Sequence, residues 1–389
     1  MRSEPNYNTI PVGQLGIIAL PGCEELANKI DNYLIRWRFQ RNSEHKDTLA
    51  FAGYEKSTYL INMDFPRFGT GEGKAALNQT VRGYDIYILC DVFNYGVTYK
   101  MYGITVPMSP DEHFANLKRA ISAIEGKAKR VSVIMPMLYE GRQHKRSSRE
   151  SLDCAMMLQE LHNMGVENFI TFDAHDPRVM NAIPLCGFES ISPAYQMIKA
   201  AVNNVDNLKI NKDNIMIISP DEGGMSRCIY YSTVLGVELG MFYKRRDFSR
   251  IVDGRNPIIA HEFLGDNVEG KDVIIVDDMI SSGESMIEVA TKLKELKAAR
   301  IYIFSALGLF CNGFDAFDKA FQEGIIDRVF TTNLIYGTPE LLSKDWYIRV
   351  DMSKYLSYII DTLNHDTSIS DLLDPAEKIN TLLEKKGLK

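Results

Sequence analysis

No apolar run in this 389-residue chain is long enough to cross a bilayer, which takes about 20 residues. The opening MRSEPNYNTI has no apolar segment of the kind a secretory signal carries, so no signal peptide is expected. Cysteine is sparse and scattered: Cys23, Cys90, Cys154, Cys186, Cys228 and Cys311 include no C-x-x-C pair. That spacing argues against a disulfide framework or a structural zinc site, and it fits a reducing, cytoplasmic setting with some of the thiols serving as small core residues. His261-Glu262 lacks the second histidine that a zinc-protease helix requires. Low-complexity segments are absent. Excess positive charge is absent too: the formal net charge is -7, so no general affinity for nucleic acid is expected, and any handling of anions must come from clustered basic residues.

What is present is the composition of a soluble globular protein, with 45% hydrophobic and 24% charged residues and enough length for one large or two medium domains. Strand-like and helix-like stretches alternate. Residues 15–20, 59–63, 85–90, 131–137 and 166–172 read as strands, and residues 24–37 and 152–164 as helices. Ser109-Pro110-Asp111-Glu112 is a helix start, with a capping serine, proline at the first helical position and Glu112 three residues on, followed by the apolar stripe Phe114, Leu117, Ile121, Ile124. Residues 41–54 and 92–108 read as loops. The pattern then restarts, with a helix at 195–202 and strands at 215–219, 237–243, 273–276, 301–306 and 328–332. This alternation predicts an α/β fold with mainly parallel sheets flanked by helices, cut into two domains, 1–191 and 192–389. After Asp374-Pro375 a last helix is expected, with Glu377 completing a capping box.

The most informative stretch is KDVIIVDDMISSGES, residues 271–285. A buried apolar strand is followed by Asp277 and Asp278, then by the small residues Ser281, Ser282, Gly283 and Ser285, then by a helical apolar spacing. Small residues let backbone N–H groups approach an anion, and the positive end of the next helix favours it. The two carboxylates suit either the vicinal hydroxyls of a ribose or a magnesium ion. The bland alternative is an ordinary strand end.

Other strand ends carry polar groups as well. In ISPDEGG, Asp221 is placed for a metal or for a simple turn. In ITFDAHDP, Asp173 and His175 would share a side if the chain is extended, and they suit a metal, a phosphate or a capped turn. EGRQHKRSSRE gathers Arg142, Lys145, Arg146 and Arg149, with His144 when protonated. Arg142 and Gln143 could meet a nucleotide, although a charge run is often only a solvated face. In FYKRRDFSR, an extended loop would send Lys244 and Arg246 to one side, where two cations can offset charge building on a polyphosphate. In FPRFGTGE, Phe68 could stack on a purine and Glu72 accept from its amino group, or Phe68 could simply be buried.

The running order VRGYDIYI, RQHK, ITFDAHDP, SPDEGG, YKRR, VDDMISSGES, ALGLFCNG, TTNLI resembles that of the ribose-phosphate diphosphokinases over roughly residues 15–355. The resemblance implies two phosphoribosyltransferase-like domains related by a pseudo-twofold axis, and transfer of the β,γ-diphosphoryl group of ATP to the 1-hydroxyl of ribose 5-phosphate. It also implies Mg2+ as cofactor and a homo-oligomer, commonly a hexamer built from dimers. By motif, Ser281, Ser282, Gly283 and Ser285 would cradle the 5-phosphate and Asp277 and Asp278 would meet the ribose. Arg142 and Gln143 would bind ATP, with Phe68 and Glu72 reaching the adenine from an adjacent subunit, His175 and Asp221 would stand at the magnesium ion, and Lys244 and Arg246 would be catalytic. No serine or cysteine nucleophile is needed for such a transfer.

This chain departs from the family pattern in places. Ser281-Ser282 replaces the usual Asp-Thr, Ala174 stands between Asp173 and His175 where leucine is usual, and Thr70 replaces an asparagine. Residues 41–54 and 94–108 look like insertions, and no regulatory residue is carried over. Two competing readings remain at this stage. A non-catalytic regulatory homologue would show damage to the catalytic loop or metal site, yet Lys244, Arg246, His175 and Asp221 are all present. A base phosphoribosyltransferase would be about half this length and would release diphosphate without ATP.

Overall fold

The computed structural model describes residues 9–42, 53–246 and 258–388, with side chains left out at 42, 244–246 and 258–261. The chain divides into two compact units. The first comprises residues up to Ser192 together with Asn333–Tyr336 and Asp351–Leu373. The second comprises Pro193–Thr332, Gly337–Val350 and the segment from Asp374 onward.

The first unit runs β1 (Gln14–Ala19), α1 (Glu24–Asn42), β2 (Met63–Asp64), β3 (Ala76–Leu77), β4 (Tyr84–Leu89), β5 (Thr98–Met101), β6 (Ile104–Pro107), α2 (Pro110–Ile124), β7 (Arg130–Ile134), α3 (Asp153–Asn163), β8 (Asn168–Phe172) and β9 (Gly187–Ile191). Its main sheet, in the order β1-β4-β7-β8-β9, is parallel throughout. Parallel strands need helical crossovers that cover the sheet, so their residues are apolar on both faces; Ile86, Ile88, Val133 and Phe169 lie in one core with Leu117 and Leu158 from the helices. Helix α2 begins as its sequence requires. Ser109 accepts from the Glu112 N–H, Glu112 reaches back to the Ser109 N–H, and Phe114, Leu117, Ile121 and Ile124 are buried.

The second unit runs α4 (Ala194–Asn204), β10 (Ile215–Ser219), α5 (Met225–Leu235), β11 (Glu238–Arg246), β12 (Ile258–Leu264), β13 (Asp272–Ile280), α6 (Glu284–Glu295), β14 (Ile301–Gly308), α7 (Asp315–Gln322), β15 (Arg328–Thr332), α8 (Pro339–Leu342) and β16 (Tyr347–Val350). Its sheet order is β12-β11-β10-β13-β14-β15-β16, parallel except for the antiparallel edge pair β11 and β12. The first unit then regains α9 (Ser353–Asn364) and α10 (Ser370–Leu373), and α11 (Ala376–Lys385) packs on α4 and α5. Among the described residues no helix is long and apolar enough to cross a membrane.

Three local expectations change, and a fourth lies mostly outside the described residues. Residues 92–108 are not a featureless loop, because β5 and β6 form an antiparallel hairpin. Of residues 59–63 only Met63 joins a strand, while Tyr59 and Ile61 bond singly to Ile17 of β1. The capping box at α11 is not formed: the cap position is Pro375, which has no side-chain bond to give, and Asp374 accepts from the Ala376 N–H. Most of the expected 41–54 loop lies outside the described residues.

Candidate functional site

The phosphate-loop candidate sits where β13 meets α6. The strand extends beyond its apolar run, pairing with β14 through Asp277, Met279 and Ile280, so both carboxylates belong to the strand and not to the loop behind it. Asp278 is buried, and its N–H donates to Asp277 Oδ1 at 2.9 Å. Burial, then the neighbouring Asp278 carboxyl, push the Asp277 pKa well above the usual carboxylate range, while the Arg227 guanidinium, 3.6 Å from Oδ1, pulls it the other way.

The loop that follows is shaped by Gly283, the cap residue of α6, at φ 85°. A Cβ there would lie 2.3 Å from the buried Phe317 ring, so only glycine fits on both counts. No side chain caps α6 at this position. The first-turn N–H groups of a helix have no partner within the helix and favour an anion. Ser281 and Ser282 are half-buried, and the Ser281 carbonyl is fixed by the Cys311 N–H at 2.8 Å. Ser282 Oγ accepts weakly from the Glu284 N–H at 3.4 Å, and Ser285 is exposed. The Glu284 carboxylate, out of place beside an anion, receives the Asn312 amide at 3.2 Å.

Asp221 closes the neighbouring strand β10. Its Oδ1 accepts from the N–H groups of Gly223 at 2.9 Å and Gly224 at 3.3 Å, and Ser219 Oγ donates to its carbonyl. Lys244 and Arg246 lie on β11, with Lys244 opposite His261 and a register shift between Arg245 and Arg246. The backbone there is therefore a paired strand and not the extended loop expected, and the two side chains fall outside the described residues.

The remaining candidates lie in the first unit. Asp173, just past β8, takes φ 47°, so a left-handed turn replaces the extended backbone that the pairing of Asp173 with His175 assumed. His175 is exposed. Its ring lies 5.3 Å from that of His144, whose Nε2 is 3.5 Å from Asp176 Oδ2. Asp176 is gripped by Arg178, and that bond holds its carboxyl at a pKa of about 2. Arg142 and Gln143 are exposed in a turn closed by the Gln143 N–H on the Glu140 carbonyl at 2.8 Å. Phe68, which could have been an ordinary core residue, is 54% exposed, and Glu72 is exposed near it, accepting the Thr70 hydroxyl at 2.9 Å.

The sequence reading missed Arg227 altogether. The available signal was a cation in the first turn of a helix, where the dipole disfavours it unless a carboxylate stands opposite.

Comparison with known proteins decides among the readings. Residues 15–165 match the N-terminal domain of ribose phosphate pyrophosphokinase, a domain that a base transferase does not need. The chain belongs to the ribose-phosphate pyrophosphokinase family. Residues 188–307 match the phosphoribosyl transferase domain and 250–374 the phosphoribosyl synthetase-associated domain. A ribose-phosphate pyrophosphokinase of Vibrio parahaemolyticus is 26% identical over 313 residues, covering 79% of this chain and 90% of the relative. One of Shewanella oneidensis is 27% identical over 307 residues, covering 78% and 88%. In fold, the chain resembles the crystal structure of phosphoribosylpyrophosphate synthetase from Mycobacterium smegmatis, with TM-score 0.70, 18% identity, and coverage of 91% of this chain and 99% of that one.

Proposed function

We propose that this member of the ribose-phosphate pyrophosphokinase family moves the diphosphoryl group of ATP to ribose 5-phosphate, giving 5-phosphoribosyl 1-diphosphate and AMP for nucleotide biosynthesis. The observation that carries the reading is the junction of β13 and α6: two carboxylates at the end of a buried parallel strand, a glycine-pinned loop, and a helix start with no side-chain cap. It supports Asp277 and Asp278 as acceptors for the ribose hydroxyls, and Ser281, Ser282, Gly283 and Ser285 as the cradle of the 5-phosphate. Phe68 and Glu72 take the adenine, and Arg142 and Gln143 take ATP.

In the reaction the sugar 1-hydroxyl attacks the β-phosphorus. One O–P bond forms, the bond from the β-phosphorus to the α-bridging oxygen breaks, AMP departs, and the hydroxyl proton passes to solvent. The chain contributes position and charge. Lys244 and Arg246 offset the charge on the transferring group, and Arg142 pairs with phosphate oxygens.

Among the described residues no three His, Cys, Asp or Glu side chains converge on one point. A magnesium ion commonly keeps several waters and takes only one or two ligands from a protein. We assign His175 and Asp221 to such an ion, which when bound would supply positive charge against that of the leaving AMP. The cytoplasm as compartment and a homo-oligomer as the working form belong to the same proposal.

The identity of the products tests it. A phosphorus NMR spectrum of the reaction should show AMP and a diphosphate ester on C1 growing together. ADP beside a singly phosphorylated C1 would mean ordinary phosphoryl transfer, and free diphosphate released only with a base would mean a transferase.

A further inference from the structure

The hairpin of β5 and β6 is the stretch that the proposed reaction leaves without a role. Its turn is Tyr102-Gly103, between the paired residues Met101 and Ile104, with φ of 48° and 81°. A two-residue turn of this kind needs left-handed backbone at both positions, which asparagine or glycine accept and tyrosine accepts only with strain. Burial does not compensate, since Tyr102 is 78% exposed. An exposed aromatic kept on strained backbone points to a use for the ring.

Its surroundings say which use. The Tyr102 N–H donates to the Gly69 carbonyl at 2.8 Å, inside the turn that carries Phe68 and Glu72. That turn is closed by Phe68 N–H to the Glu72 carbonyl and Gly71 N–H to the Phe68 carbonyl, both at 2.9 Å. Met101 packs so near Gly71 that a Cβ there would meet its sulfur at 2.8 Å. Arg67 ties the group to α2: its guanidinium lies 5.0 Å from the Tyr99 ring centroid and donates to the Gly71 carbonyl at 3.0 Å and to Asn116 Oδ1 at 3.1 Å. The Tyr99 hydroxyl bonds to the Glu112 carboxylate. Hairpin, turn and helix are thus one assembly, and it places two exposed aromatics, Phe68 and Tyr102, on hydrogen-bonded neighbouring segments with the Glu72 carboxylate close by in sequence.

We propose that Tyr102 belongs to the nucleotide site, offering the purine ring of ATP a second aromatic surface beside Phe68 while the hairpin sets the turn that presents Glu72. This rests on the assignment of Phe68 and Glu72 to the adenine. Flat bases stack on exposed aromatic rings because contact and exclusion of water act over the whole face. A carboxylate at the ring edge accepts from the exocyclic amino group.

The test uses the full chain and three variants, Tyr102→Asn, Tyr102→Phe and Phe68→Ala, with calorimetric titration of Mg-ATP and of inorganic tripolyphosphate, which has no base. Asparagine suits the turn better than tyrosine, so Tyr102→Asn should melt no lower than the parent. Its affinity for ATP should fall about tenfold, the usual order for losing one stacking partner, with tripolyphosphate binding unmoved. Tyr102→Phe, which keeps the ring, should recover most of the loss. If Phe68→Ala weakens ATP binding and Tyr102→Asn does not, Tyr102 has no part in the site, while the adenine assignment stands. If neither variant weakens it, the adenine assignment fails and takes this inference with it. Equal losses for ATP and tripolyphosphate, or a smaller assembly by sedimentation, would make the hairpin a scaffold or a contact with a second copy and would also overturn the inference.

Discussion

Arg227 opposes protonation of the Asp277 carboxylate of β13. Asp277 lies against the Asp278 carboxyl in a partly buried setting, and both conditions favour its protonated form. A protonated carboxyl is a poorer acceptor for sugar hydroxyls. The guanidinium 3.6 Å away works against that protonation. Arg227→Gln should therefore raise KM for ribose 5-phosphate about tenfold, the scale of one lost charge interaction. It should also move the acid limb of that KM profile to higher pH, because removing the cation raises the Asp277 pKa further. Arg227→Lys should recover part of both effects, and an unchanged KM profile in Arg227→Gln would remove Arg227 from the site. Lys244→Ala and Arg246→Ala should each lower turnover by orders of magnitude with little change in thermal unfolding; near-normal turnover in both would end their catalytic assignment. Asp221 and Asp277 stand out in the sequence because each lies at or just beyond the end of an apolar run. Arg227 does not, because its meaning depends on a strand some fifty positions later in the chain.

At the scale of elements, the turn into α6 depends on one backbone conformation and one contact. Gly283→Ala would force a side chain into left-handed backbone, at about 1–2 kcal/mol, and against the Phe317 ring as well. Ribose 5-phosphate binding, followed by calorimetry, should be lost or fall steeply, and Phe317→Leu added to it should restore only the contact share. Retained affinity in Gly283→Ala would show that the cradle does not need this geometry. The strand, loop and helix here were readable because buried parallel strands are apolar throughout and helices repeat every few residues. The extension of β13 to Ile280 was not readable, since two carboxylates look like a strand end until their pairing with β14 is seen. The β5 and β6 hairpin escaped for another reason. Its strands are four residues each and largely exposed, so no apolar face alternates along them, and Tyr-Gly is not the usual turn signal.

For the molecule as a whole, the feature least visible in sequence is the return of α9 to the first unit. Trp37 of α1 stacks on Tyr358 at 4.3 Å, and Arg38 donates twice to Asp361, at 3.0 and 2.8 Å, across 323 positions of chain. Asn364 joins Asp85, which Arg130 also holds at 2.8 and 2.7 Å. An amphipathic helix does not announce which unit it will cover; here the buried charges decide it. Asp361→Ala would leave Arg38 buried without its carboxylate and should cost about 3–5 kcal/mol in urea unfolding. Next to it, burial pushes His365 down to about 4 although Asp361 pulls it up. The unfolded histidine takes its proton near 6.5, so the folded state binds fewer protons in between. The associated stability is present above about pH 6.5 and is lost as pH falls toward about 4, up to about 3 kcal/mol in all. His365→Gln should flatten that part of the stability profile, and an unchanged slope would show that His365 does not titrate in this way. The central claim, diphosphoryl transfer to ribose 5-phosphate, is tested most directly by AMP formation from ATP, magnesium and ribose 5-phosphate with each component omitted in turn. AMP should appear only in the complete mixture, matched by 5-phosphoribosyl 1-diphosphate. No AMP from a folded chain that still binds ribose 5-phosphate would contradict it.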